Sequence, residues 1–366
     1  MNYHFAGEEE VDSPSLIYYQ DIIEENISKA IDLAGDVKRL WPHIKTHKMS
    51  ALLKMQIERG IKRFKCATIA EAEMCAMAGG GTDALVAYPL VGPAIGRFVK
   101  LREKYKDTCF WAMGDNIGQL ELLGKAVLSS GQQPVDALID VNVGMNRTGV
   151  ASDRLKEFYL QAIRIDGLSI KGFHCYDGHI GIKDLGERRN AVSSGTEKIW
   201  EIKKSLEELG HEIPVLVMGG TPTFACHRET AGVFLSPGTF FVQDYGYSSK
   251  FSDLAFIPGA AILSRVISHP GEKLFTIDTG SKAIATDPVE RGVIAELPDA
   301  KPVLQSEEHW VWKHEGAELP PIGKIVYVLP FHVCPTSALY PGVITVKNGK
   351  QAGYWEVSAR NRKITI

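Results

Sequence analysis

The chain has 366 residues, of which 45% are apolar and 23% charged, and a formal net charge of -3. That balance excludes a disordered tail protein or a collagen-like repeat, and it offers no global basic field for nucleic acid or an anionic membrane. The most apolar stretch, residues 84–99, is interrupted by Pro89, Gly92, Pro93, Gly96 and Arg97, well short of the ~18 apolar residues of a spanning helix.

The first residues, MNYHFAGEEEVDSPS, have neither a basic nor an apolar leader region, so they do not read as a secretory signal. Residues 21–34 carry Ile22, Ile23, Ile27, Ala30 and Ile31 on one helical face and stop at Gly35. A strand over 38–44 and a helix over 50–59 follow, then strands at 63–67, 84–88, 109–113, 137–143, 170–176, 215–218 and 233–235. Helical periods at 70–78, 95–105, 118–129, 152–163 and 184–209 separate most of them. About eight such units with strands buried on both faces predict a (β/α)₈ barrel over 12–255. An open dinucleotide-binding sheet is disfavoured, because no GxGxxG follows the first strand.

Beyond residue 256 the helical pattern is lost. Runs at 261–268, 273–278, 309–314, 324–329, 343–346 and 354–357 predict a mainly antiparallel β domain over 256–366, joined by residues 1–11. Six cysteines without paired spacing predict reduced thiols in a cytoplasmic protein. Five read as core fillers, and Cys334 as the exception.

The chemistry-bearing clusters fall just after predicted strands, where barrel enzymes place their active sites. His43, Lys45 and His47 end the first strand, and a lysine there can act as a Schiff-base nucleophile, unless the run is simply a solvated loop. After the fifth strand, Arg147 sits between glycines and can present a planar fork to an anionic oxygen, or pair with Asp140. His174, Tyr176, Asp177 and His179 converge after the sixth. Gly219, Gly220 and Thr221 of GGTPT follow the seventh and form a phosphate cup, which Ser236-Pro237-Gly238-Thr239 completes. In the β domain, His332 and Cys334 share one face if the chain is extended, and an imidazole with a thiolate favours zinc. A lysine, a phosphate cup, an anion-directed arginine and a metal pair fit pyridoxal 5′-phosphate better than a nucleotide.

The motifs PHIKTHK, KCATIAEAEM, VGMNRTGV, YDGH, GGTPT, SPGT, QSEEH and HVCPT, in that order, resemble the D-threonine aldolase and D-serine dehydratase family, fold type III pyridoxal-phosphate enzymes related to alanine racemase. The stretches AYPLVGP, YDGH and GGTPTF are most similar to the low-specificity D-threonine aldolase subgroup. The resemblance implies a homodimer acting on small D-amino acids, with active sites at the subunit interface. It implies that Lys45 carries the cofactor, that Arg147 lies at its phenolate oxygen with Tyr176 near the ring, and that Gly219, Gly220 and Thr221 bind its phosphate. His332 and Cys334 would hold a divalent metal that takes the substrate β-hydroxyl, and His179 would be the base that deprotonates it. Glu307, Glu308 and His309 would contribute from a loop.

One departure bears on the reaction. Aldolases of the family resemble His-x-Asp at the metal, suited to manganese or magnesium, whereas this chain has His-x-Cys, as in zinc-dependent D-serine dehydratases. The expected activity is retro-aldol cleavage to glycine and an aldehyde. A dehydratase giving pyruvate and ammonia is the alternative, followed by a racemase and a non-catalytic cofactor-binding protein.

Overall fold

A computed structural model describes residues 1–79 and 81–366. The chain divides into two compact units: Ile31–Lys45, Leu52–Gly238 and Ala359–Ile366 form one, and Met1–Ala30, Thr46–Ala51 and Thr239–Ser358 the other. The longest segments of the two units meet at 238/239.

In the first unit, among the described residues, seven strands lie parallel in chain order: Arg63–Cys66, Asp83–Val86, Cys109–Gly114, Val135–Asn142, Leu168–Cys175, Val215–Met218 and Val233–Leu235. Their cores are continuous apolar runs because both faces are covered. The ring is closed by residues 40–43, which bridge Leu40 to Leu235 and His43 to Lys65. The Trp41 N–H donates to the Leu235 carbonyl at 2.8 Å, and the Lys65 N–H to the Pro42 carbonyl at 2.7 Å. This is the predicted (β/α)₈ barrel, with one local correction. The strand expected over 38–44 shrinks to these bridges, because Asp36 caps a 3-10 turn at Val37–Arg39 and Pro42 has no N–H for a ladder.

Trp41, Leu85, Trp111, Met113, Leu138, Val215 and Val217 fill the barrel interior. Trp41 meets Trp111 edge to face at 5.3 Å and donates its indole N–H to the Phe64 carbonyl at 3.0 Å. Of the five cysteines read as core fillers, Cys66, Cys75 and Cys175 are buried. Cys109 is exposed and Cys226 half-buried, each at the end of its element.

The second unit is built on one sheet in the order Lys301–Gln305, Trp310–Lys313, Leu274–Ile277, Ala260–Gly271, Ser15–Tyr19, Gly342–Lys347 and Lys350–Glu356. Ile325–Pro330 pairs with Ala260–Gly271 and with Gly292–Ile294. Ser15–Tyr19 lies parallel to Gly342–Lys347, so the N-terminal segment is a strand of this sheet. The expectation that the helical pattern is lost beyond residue 256 fails locally at Val333–Leu339, which is a helix. Its start is fixed by the buried Asp244, whose carboxylate accepts from the Val333 N–H at 3.2 Å and the Tyr247 N–H at 2.9 Å.

Trp41 links the closing segment to the interior, so Trp41→Ala should cost about 3–5 kcal/mol. Denaturant unfolding of the two proteins measures it, and a loss below about 1 kcal/mol would contradict the role given to this side chain.

Candidate active site

A cavity of about 550 Å³ in the barrel unit is lined by His43, Lys45, Lys65, Asp140, Arg147, His174 and Tyr176, among others. Lys45 stands in the short turn Ile44–Thr46 that follows the closing segment, and its side chain is exposed. Its backbone N–H donates to His43 Nδ1 at 3.3 Å, which orients the turn. The Arg147 guanidinium lies 5.3 Å from the centroid of the Tyr176 ring. Three of the expected residues, Lys45, Arg147 and Tyr176, thus share one cavity.

One residue that the sequence reading did not single out, Lys65, lies deeper, beside His174 and Asp140, which it did. Lys65, on the strand Arg63–Cys66, is only 2% exposed, and its Nζ sits 3.2 Å from His174 Nε2. The other imidazole nitrogen, Nδ1, lies 2.7 Å from Asp140 Oδ1. Burial and the nearby Lys45 bring Lys65 down to about 7, with Asp140 and Asp177 opposing. Burial and the Lys65 charge also lower His174. For Asp140, burial works against ionisation, but its contacts with His174 hold its carboxyl below the ordinary value. Asp140 therefore pairs with His174, the competing partner for the Arg147 contact considered from the sequence. The signal for Lys65 was a lysine inside an otherwise buried strand.

The GGTPT loop is held from below. Asp177, 1% exposed, accepts the Thr223 hydroxyl on one oxygen and contacts His227 Nε2 at 2.6 Å with the other. Thr223 Oγ1 in turn accepts the Gly220 N–H at 2.9 Å. That amide therefore points into the loop and serves the cup by shaping it. Gly219 has φ +83°, the left-handed region that suits glycine, and a Cβ on Gly220 would come within 2.9 Å of the Tyr176 ring. The Gly238 N–H reaches Thr221 Oγ1 at 3.4 Å and ties the two cup loops together. Ser236 Oγ, beside them in sequence, is buried and has no hydrogen-bond partner among the described residues.

These features fit pyridoxal phosphate. An exposed amine, a cationic cavity with one compensating carboxylate, a glycine-lined loop that tolerates no added Cβ and an orphaned buried hydroxyl all suit an anionic aldehyde cofactor.

In the second unit, His332 stands at the N-cap position of the helix Val333–Leu339, with no capping hydrogen bond from its side chain, and Cys334 lies in the first turn. The expected extended geometry is therefore replaced by a helix N-terminus. His332 Nδ1 lies 2.5 Å from Asp287 Oδ2, and Cys334 Sγ is 3.2 Å from Thr46 Oγ1 and 3.5 Å from Thr239 Oγ1. Burial resists a charge on His332, but Cys334 and Asp287 raise it to about 9, so the ring holds a proton that a metal would have to displace. An imidazole and a thiol are the donors zinc takes. No group of three or more ligating side chains occurs among the described residues, so the pair would need water or substrate to complete a coordination shell.

His179 is exposed and does not line the cavity. Its Nε2 lies where a Cβ on Gly144 would come within 2.9 Å, which places it against the loop that carries Met145 and Arg147. Glu307 and Glu308 are exposed in a turn and pair with Lys282 at 2.7 and 3.2 Å, and His309 beside them is exposed too.

Thr223→Val should leave the Gly220 amide and one oxygen of Asp177 without their partner, each loss costing about 1–3 kcal/mol. Titration of the variant with pyridoxal phosphate is expected to show at least tenfold weaker binding. Unchanged affinity would mean that the loop does not serve the phosphate.

Residues 20–245 match the family described as alanine racemase, N-terminal domain, and residues 259–346 match a putative serine dehydratase domain. A D-threonine aldolase of Arthrobacter sp is 29% identical over 359 residues, covering 96% of this chain and 93% of the relative. A 3-hydroxy-D-aspartate aldolase of Paracoccus denitrificans (strain Pd 1222) is 27% identical, covering 97% and 94%. The crystal structure of D-threonine aldolase from Filomicrobium marinum superposes with a TM-score of 0.90 at 26% identity, covering 99% of this chain and 100% of that one. The chain belongs to the alanine racemase N-terminal domain family, with a serine dehydratase-type domain following its barrel.

Proposed function

We propose that the protein is a pyridoxal-phosphate-dependent lyase that cleaves D-β-hydroxy amino acids between Cα and Cβ, giving glycine and an aldehyde. The observation that carries this reading is the cavity in which Lys45, Arg147 and Tyr176 stand together. Similarity to D-threonine aldolase over 96% of the chain supports the choice of reaction.

Pyridoxal phosphate supplies, when bound, an electron sink for the pair left on Cα. In this reading Lys45 would be the amine that holds the cofactor. Arg147 presents its fork to the ring oxygen, and Tyr176 packs beside the ring. Gly219, Gly220 and Thr221 shape the phosphate seat. The β-hydroxyl proton is assigned to His179, which stands outside the cavity lining against the loop that carries Arg147. His332 and Cys334 would hold a divalent ion, zinc by their chemistry, which supplies Lewis acidity toward the β-oxygen. The reading also implies a cytoplasmic homodimer.

A dehydratase is the second reading, favoured by the His-x-Cys pair and by the serine dehydratase domain over 259–346. There Lys45 would take the α-proton, and hydroxide would leave.

Incubation with D-threonine and with D-serine separates them. Glycine and acetaldehyde from D-threonine are expected; a 2-oxo acid and ammonia would favour the dehydratase. Chelation of the metal should abolish turnover while leaving the cofactor's visible absorbance in place. Full activity after chelation would remove the role given to His332 and Cys334.

A further inference from the structure

The wall of the barrel cavity holds a cation that the proposed chemistry does not use. Lys65 Nζ, His174 and Asp140 form a chain of contacts at 3.2 and 2.7 Å, and all three groups are nearly excluded from solvent. We propose that Lys65 is a positioning residue that locks His174 as a neutral imidazole carrying its single proton on Nδ1. The inference concerns the charge state of the cavity wall and holds whichever lyase reaction the enzyme performs.

An ionised Asp140 can only accept, so the Nδ1 facing it must carry a proton. A lysine ammonium can only donate, so the Nε2 facing Lys65 must present a lone pair. With both ends fixed, the ring holds one proton in one tautomer. A second ring proton would set an N–H of an imidazolium against an ammonium 3.2 Å away, in a site with little water to screen them.

The other charges around the pair point the same way. Lys45 and Arg147 add positive charge near Lys65, and Arg147 near His174, while Asp140 and Asp177 are the opposing anions. Lys65 Nζ lies 5.3 Å from the centroid of the Tyr176 ring, a face that favours a cation. The lowered proton affinity of Lys65, about 7, means that it can surrender its proton near neutrality. The neutral amine still offers an N–H to Nε2, so the ring keeps its one proton on Nδ1 in either state of Lys65. When the wall carries a cation, it resides on the amine rather than on the ring.

Nitrogen-15 NMR of the full-length, cofactor-loaded protein, labelled at histidine, tests this. His174 is assigned by the signal lost in His174→Gln. From about pH 5.5 to about pH 8 the wild-type ring should stay neutral with Nδ1 protonated. In Lys65→Met, Asp140 should dominate and the ring should titrate as an imidazolium within that range. Lys65→Arg, which retains the charge, should behave as wild type. A wild-type His174 that is an imidazolium at about pH 6.5 would overturn the proposal, as would a Lys65→Met ring that stays neutral throughout. Should Lys65→Met fail to fold by circular dichroism, the wild-type titration and Lys65→Arg still decide.

Discussion

Closure of the barrel at residues 40–43 is the constraint on which the candidate site depends. Two parallel bridges, on either side of Trp41 and Pro42, join the last strand to the one beginning at Arg63. The chain must leave that closure in a tight turn, and Lys45 is the middle residue of the turn. The amine therefore stands at the carboxyl end of the barrel because the closure has no room to continue as a strand. Trp41, packed on Trp111, fixes the same segment from the inside.

The cavity beyond this turn is cationic by design of its walls. Lys45, Lys65 and Arg147 face it, while Asp140 is the carboxylate among its lining residues. Of the three cations only Lys65 is buried, and three like charges around one cavity favour a ligand that brings negative charge. A phosphate-bearing cofactor and an amino acid carboxylate would supply it. The lower loops are rigid for a related reason: Asp177, His227 and Thr223 satisfy one another, so the GGTPT backbone is held before any ligand arrives.

Much of this was legible in the sequence. The alternation of apolar strands with helical periods gave the barrel, and Lys45, Arg147 and Tyr176, which line one cavity, stood out because each follows a strand as an unusual residue type. Lys65 was missed for the opposite reason: it lies within a strand, where a lysine reads as an edge or surface residue. The geometry of His332 and Cys334 was misjudged because the short run HVCPT carries no helical period. Its helix depends on the distant Asp244 as a tether. Lys301–Gln305 was passed over because it contains Pro302 and is largely exposed, so no alternation marks it. Local pattern shows buried regular elements well, but not side chains whose roles are set by partners far along the chain.

The central claim is that one particular amine among several holds the cofactor. Borohydride reduction of the pyridoxal-phosphate-loaded protein, followed by peptide mapping, tests it most directly. The account requires the reduced pyridoxyl group on Lys45. A label on Lys65 or Lys48, or no label at all, would contradict it.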